Sequence, residues 1–113
     1  MQMVKNKIVL LGVCLVIMIS NAFAQDVKQL QETANLFMRQ GDFTNAILVL
    51  NRARQMDPKN IEVAKELGLN YYFAKDYAKA LDIYKPLLDL EEADDQCFQI
   101  AADIYLALDQ VKE

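Results

Sequence analysis

From Asp26 onward, apolar residues recur at the three- and four-residue steps of an amphipathic helix, and the pattern breaks at four places. Leu30, Ala34 and Phe37 share one face of a first helix over about 26–39. Gly41-Asp42 interrupts it, since glycine permits the turn and the Asp42 carboxylate can cap the next helix. That second helix, over about 43–56, turns Ala46, Ile47, Leu50 and Ala53 inward. It stops at Met56-Asp57-Pro58, because the residue before a proline avoids helical geometry. Asn60 is the natural cap of a third helix over about 61–73, with Ala64, Leu67, Gly68 and Tyr71 inward. Lys75-Asp76 repeats the turn and cap. A fourth helix over about 77–90 carries Ala80, Leu81, Tyr84 and Leu87. Pro86 falls inside it, which predicts a kink or an irregular last turn at a cost of about 3 kcal/mol in an otherwise ideal helix. The acidic link Glu91 to Asp95 leads into a fifth helix through about Leu108, capped by Asp94 or Asp95, with Phe98, Ala101, Ala102 and Tyr105 inward.

These helices repeat. Phe37, Tyr71 and Tyr105 are spaced by 34 residues, and so are Ala34, Gly68 and Ala102. Such a period in an all-helical chain belongs to stacked helix-turn-helix units, which bury a core only against their neighbours and usually bind other proteins. The expected fold is therefore an all-α solenoid of antiparallel units, about two and a half in number: about 27–60, 61–94 and a partial 95–113. Short links and the lack of a long Gly, Ser or Pro tract leave no room for a second domain. In the third unit Asp109-Gln110-Val111 takes the register of Gly41-Asp42-Phe43, and the alanine that opens the next helix would fall just past Glu113. Either the fifth helix is a lone cap or the sequence is the front part of something longer. A cap wants a polar outer face. Ile100, Ile104, Leu106 and Leu108, beyond the inward set, favour the second alternative or a missing partner surface.

Residues 1–24 stand outside this pattern. Lys5 and Lys7 precede the apolar run Ile8 to Ile19, and Ala22-Phe23-Ala24 gives a small-x-small tripeptide before Gln25. That is the layout of a secretory signal peptide cleaved between Ala24 and Gln25. An uncleaved anchor is the alternative, although twelve strongly apolar residues fall short of the roughly 20 that span a bilayer. Gly12-Val13-Cys14 is a poor lipidation signal, because Val13 is unsuited to it and the apolar run continues past Cys14.

Composition narrows the chemistry. Cleavage would remove Lys5 and Lys7 and no acid, taking the net charge from −4 to −6 over the remaining 89 residues, 25–113. An acidic chain of that kind repels nucleic acid and anionic membrane surfaces. The chain holds no histidine, and only Cys97 would remain after cleavage, so neither a His base nor a closed zinc site can be built. The same count leaves no internal disulfide, and Cys97 at an apolar helix start is better read as a small buried hydrophobe than as a redox group. No glycine-rich phosphate loop is present, and Glu91, Glu92, Asp94 and Asp95 favour a helix start through its dipole rather than forming an acid–base pair. No catalytic residue, cofactor or metal is expected.

The landmark residues resemble the tetratricopeptide repeat. Leu30, Ala34, Phe37, Gly41-Asp42-Phe43, Ala46, Leu50, Ala53 and Pro58 match one unit. Leu67, Gly68, Tyr71, Lys75-Asp76-Tyr77, Ala80, Tyr84 and Leu87 match a second. The departures are the missing early tryptophan, replaced by Leu30, Ala64 and Phe98, and Glu92 where a second closing proline would stand. The resemblance implies that the first helices of successive units line a concave groove. On the matching face lie Lys28, Gln31, Asn35 and Met38, then Glu62, Lys65, Leu69 and Tyr72, then Gln96, Gln99, Asp103 and Leu106. Of these, Gln31, Asn35, Met38, Lys65, Leu69, Tyr72, Asp103 and Leu106 are the candidate partner-binding residues. Leu69 and Tyr72 have the competing role of packing unit on unit. The basic and amide clamp that chaperone-binding members close on a terminal carboxylate is matched only by Asn35. The functional expectation is a non-enzymatic module of the bacterial periplasm or cell envelope, holding a peptide or helix in that groove. The alternative is a structural block of a larger envelope assembly, with self-association through the helix at about 95–108.

Overall fold

The computed structural model describes the backbone of residues 2–112, and the side chains of all of these except 19, 20, 23, 111 and 112. Five helices follow in order: α1 Gln2–Arg39, α2 Phe43–Met56, α3 Ile61–Phe73, α4 Tyr77–Leu87 and α5 Asp95–Lys112. Each packs on the next in the chain, and α3 also touches α5. Among the described residues there is no strand, and the arrangement is an all-α helical-repeat solenoid.

The two tight turns are copies of each other. At the end of α1, Gly41 has φ 74°, the Asp42 N–H donates to Phe37 O at 2.9 Å and the Gly41 N–H to Met38 O at 3.0 Å. At the end of α3, Lys75 has φ 64°, with Asp76 N–H to Tyr71 O at 2.9 Å and Lys75 N–H to Tyr72 O at 3.0 Å. A left-handed residue closed by such paired bonds satisfies carbonyls that a helix end leaves orphaned. The caps are the acids and amides expected from the sequence. Asp42 accepts from Asn45 N–H, Asn60 from Val63 N–H and Asp76 from Lys79 N–H. Asp94, not Asp95, caps α5 by accepting from Cys97 N–H at 2.9 Å.

Three expectations need correction. The first helix does not begin near residue 26 but runs unbroken from Gln2: no proline or glycine lies between Gly12 and Gly41 to break it, and Asp26, a capping-type residue at the expected start, sits inside the helix. Among the described residues, burial starts only at Val27. The fourth helix stops at Leu87 rather than about 90, one residue after Pro86, whose ring removes a backbone donor and disfavours the carbonyl one turn back. The third concerns α5. Phe98 is 51% and Tyr105 47% exposed, and Ala102 is exposed as well. Cys97, Ile100, Ala101 and Ile104 are the residues buried there.

The reason is that the first helix of a unit has two apolar faces. In α3, Val63 and Leu67 face the preceding unit, while Gly68 faces α4: a Cβ built on it would sit 2.7 Å from Tyr84 Cε2 and 3.2 Å from Ile83 Cγ2. Both faces repeat with the same period. In α5 only the one toward the preceding unit is covered, so Ile100 and Ile104 pack in the core and the stripe 98/102/105 does not.

The main core joins Ala34, Ala46, Leu50, Leu67, Ala80, Tyr84, Cys97 and Ile104 across all five helices, and Val27, Ala53 and Val63 form a smaller cluster beside it. The opposite end of the stack differs. Gln29, Glu32 and Thr33 of α1 occupy the register of buried Val63, half-buried Glu66 and buried Leu67, and they make that end mostly polar, with Leu36 one turn on, in the register of buried Asn70, 58% exposed beside them.

Candidate functional site

The first helices of the units, α1, α3 and α5, carry the candidate groove. Gln31 on α1 donates its side-chain N–H to Glu66 Oε1 on α3 at 3.1 Å, which ties the two helices together across the face. Asn35 and Met38 come next on α1 at successive turns, both half-buried. On α3, Lys65 Nζ lies 2.6 Å from Asp94 Oδ2 and 3.7 Å from Glu62 Oε1. The hydrogen bond to Asp94 pushes the Lys65 ammonium up, against the opposing effect of burial. The same bond, with Cys97 N–H, holds the Asp94 carboxyl well below the usual carboxylate range. Asp94 thus fastens the start of α5 to α3.

Between α3 and α5 a narrow cleft is lined by Glu62, Lys65, Glu66, Leu69, Gln96 and Cys97, with the Tyr84 ring at its floor. Tyr84 donates its hydroxyl to Lys65 O at 3.1 Å, so the phenol is a fixed wall rather than a free group. Glu66 is half-buried, and burial raises its carboxyl pKa while the Gln31 amide pulls it back. Its Oε2, and Oδ1 of Asn70 one turn further on, are buried without a hydrogen-bond partner. Asn70, 2% exposed, anchors its amide by donating to Glu66 O at 2.8 Å. Its burial was not legible from periodicity, because an amide breaks the apolar count at that position.

Leu69 and Tyr72 are partly buried against the main core. The Tyr72 ring stands 6.0 Å from Tyr77, edge-on, and 5.6 Å from Phe73, which in turn stacks on Phe43 at 5.4 Å. Tyr72 therefore serves packing at the α3–α4 turn, while Leu69 packs on the core and also lines the α3–α5 cleft. On α5, Asp103 is half-buried and Leu106 is 63% exposed. The structure thus brings Gln31 against α3 and places Lys65 and Leu69 in one cleft. It does not gather Asn35, Met38, Asp103 and Leu106 into that cleft. Among the described residues no cluster of three His, Cys, Asp or Glu side chains is placed to hold a metal ion, and Cys97 is buried with a thiol that burial pushes up.

Residues 39–113 match the family model described as anaphase-promoting complex, cyclosome, subunit 3, a tetratricopeptide-like repeat. A search of curated proteins found no match. Repeats of this kind generally act as scaffolds for binding other proteins.

Proposed function

Because the chain belongs to this tetratricopeptide-like family, we propose that it is a non-enzymatic binding module that holds a peptide or helix of another protein along α1, α3 and α5. The observation that carries the reading is the bridge from Gln31 to Glu66, which sets α1 and α3 side by side with Asn35, Met38 and the α3–α5 cleft on either side. Met38 and Leu106 supply apolar grip, and Asn35, Lys65 and Asp103 supply polar contacts to a ligand backbone. The signal-peptide layout of residues 1–24 supports export to the periplasm or cell envelope, with cleavage between Ala24 and Gln25. The test is crosslinked capture from the envelope with tagged chain, reading intact mass and attached protein together. A chain of residues 25–113 joined to one specific protein, lost in Asn35→Ala/Met38→Glu, supports the module. Recovery of unprocessed or free chain only, or capture indifferent to these substitutions, overturns it.

The second reading is a building block of a larger envelope assembly. Its support is the exposed stripe on α5, together with a matching family whose description names a subunit of a complex. Self-association through α5 belongs to that reading, and a charge placed at Leu108 or Ile104 distinguishes it only if the fold survives. Ile104 is fully buried, so the exposed Tyr105 is the usable position.

A further inference from the structure

Cleavage between Ala24 and Gln25 makes Gln25 the first residue of the exported chain and gives it a free α-amine. A glutamine in that place carries its own electrophile, because the amine and the side-chain amide carbon belong to one residue and meet by closing a ring. The structure shows what surrounds that residue. Gln25 is exposed and lies within α1, two residues before Val27, where burial among the described residues starts. Val27 packs with Ala53 of α2 and Val63 of α3. The helix is thus anchored within a turn of the new end, and Gln25 stands outside the packed core.

From this we infer that Gln25 is a modification site, and that the exported chain begins with a pyroglutamyl lactam in place of a terminal glutamine. The inference rests on the export reading and uses none of the groove residues. The step balances within the one residue. The unprotonated α-amine attacks Cδ of its own side chain, the N–Cδ bond forms and the Cδ–Nε2 bond breaks. Nε2 leaves as ammonia, carrying the proton that the amine gives up. No oxidant, reductant or second substrate enters. Two features of the fold favour it. N–H groups in the first turn of a helix have no acceptor within that helix, so tying up the Gln25 nitrogen breaks no helical bond. Charge works in the same direction. A terminal ammonium sits at the positive end of the α1 dipole. Lys28 lies one turn on, and Arg52 of α2 lines the cavity between α1 and α2 that Asp26 also lines. Asp26 is the one carboxylate set against these in the first turn. Positive surroundings favour the neutral amine, which is the nucleophile. Ring closure then removes the charge altogether, leaving Asp26 to complement the helix start.

The whole chain, tagged at its C-terminus and produced in a bacterium with residues 1–24 in place, is recovered from the envelope and its intact mass is measured. The expected mass is that of residues 25–113 and tag less one ammonia, in the majority of the processed chain. Proteolysis after Glu32 should place the loss in the first peptide, and that peptide should resist an aminopeptidase. Gln25→Ala should be processed at the same bond, show no loss and be open to the aminopeptidase. Processed chain with an open glutamine at its start overturns the inference and leaves the export reading standing. So does an ammonia loss that lies in another peptide or persists in Gln25→Ala. A chain that keeps residues 1–24, or is cut at another bond, overturns the export reading and the inference together, and its mass tells that outcome from the others.

Discussion

At position 68 a hydrogen stands where any other residue would place a carbon 2.7 Å from the Tyr84 ring. Tyr84 cannot easily withdraw, since it is fully enclosed and its hydroxyl is held by Lys65 O. Gly68→Ala is therefore expected to destabilise by about 1–3 kcal/mol. Adding Tyr84→Leu, which reproduces the Ala34–Leu50 pairing of the first unit, should make the double variant more stable than the two single losses predict, by about 1 kcal/mol in a urea-unfolding cycle. Lys75 presents the opposite case, a side chain held at φ 64° where its counterpart is Gly41. Lys75→Gly relieves that strain and should raise stability by about 0.5 kcal/mol, the gain being trimmed by the greater freedom of glycine when unfolded. Two carboxylates answer pH with opposite sign. Asp94, depressed chiefly by its Lys65 bond, contributes stability above the ordinary carboxylate range near pH 4 that is lost on acidification. Asp94→Asn should thus lower Tm at pH 7, and the gap should close below about pH 4. Glu66 is raised, chiefly by burial, so ionising it opposes folding as pH climbs past that range. Glu66→Gln should be the more stable protein at pH 7 and lose that advantage below about pH 4.

Among the elements, α5 shows what a repeat pattern can and cannot convey. The caps Asp42, Asn60, Asp76 and Asp94 and the helix cores around Ala46, Leu50, Leu67, Ala80 and Tyr84 were legible, because each obeys a local rule. The buried face of α5 was not. Period alone marks Phe98, Ala102 and Tyr105 as equivalents of core residues, yet burial depends on whether the neighbouring helix exists. The candidate groove was legible only as a face: the ring cluster of Phe43, Phe73, Tyr72 and Tyr77 depends on turn geometry, and the Gln31–Glu66 bridge on tertiary register. Thermal unfolding separates the two faces of α5. Ile104→Ala should cost about 2–5 kcal/mol as a buried truncation, whereas Phe98→Ser and Tyr105→Ser should each cost under about 1 kcal/mol.

The whole molecule measures 76 × 31 × 20 Å, and the long dimension reflects the 38 residues of α1. Since burial among the described residues starts at Val27, the stack is expected to hold together without the segment that precedes it. Residues 25–113 should melt within about 2 °C of the whole chain, below the roughly 4–8 °C that 1 kcal/mol represents at this size. The two ends of the stack are unlike: α1 offers Gln29, Glu32 and Thr33, while α5 offers Phe98, Ala102 and Tyr105. A head-to-tail contact between copies has no rotation that obliges it to close, and such contacts propagate into fibres when both surfaces are apolar. Here the sticky end of one copy meets a wetted end of the next. A front that carries Gln29, Glu32 and Thr33 beside one exposed leucine, Leu36, gives the apolar rear stripe of another copy little to grip, which disfavours open-ended head-to-tail stacking.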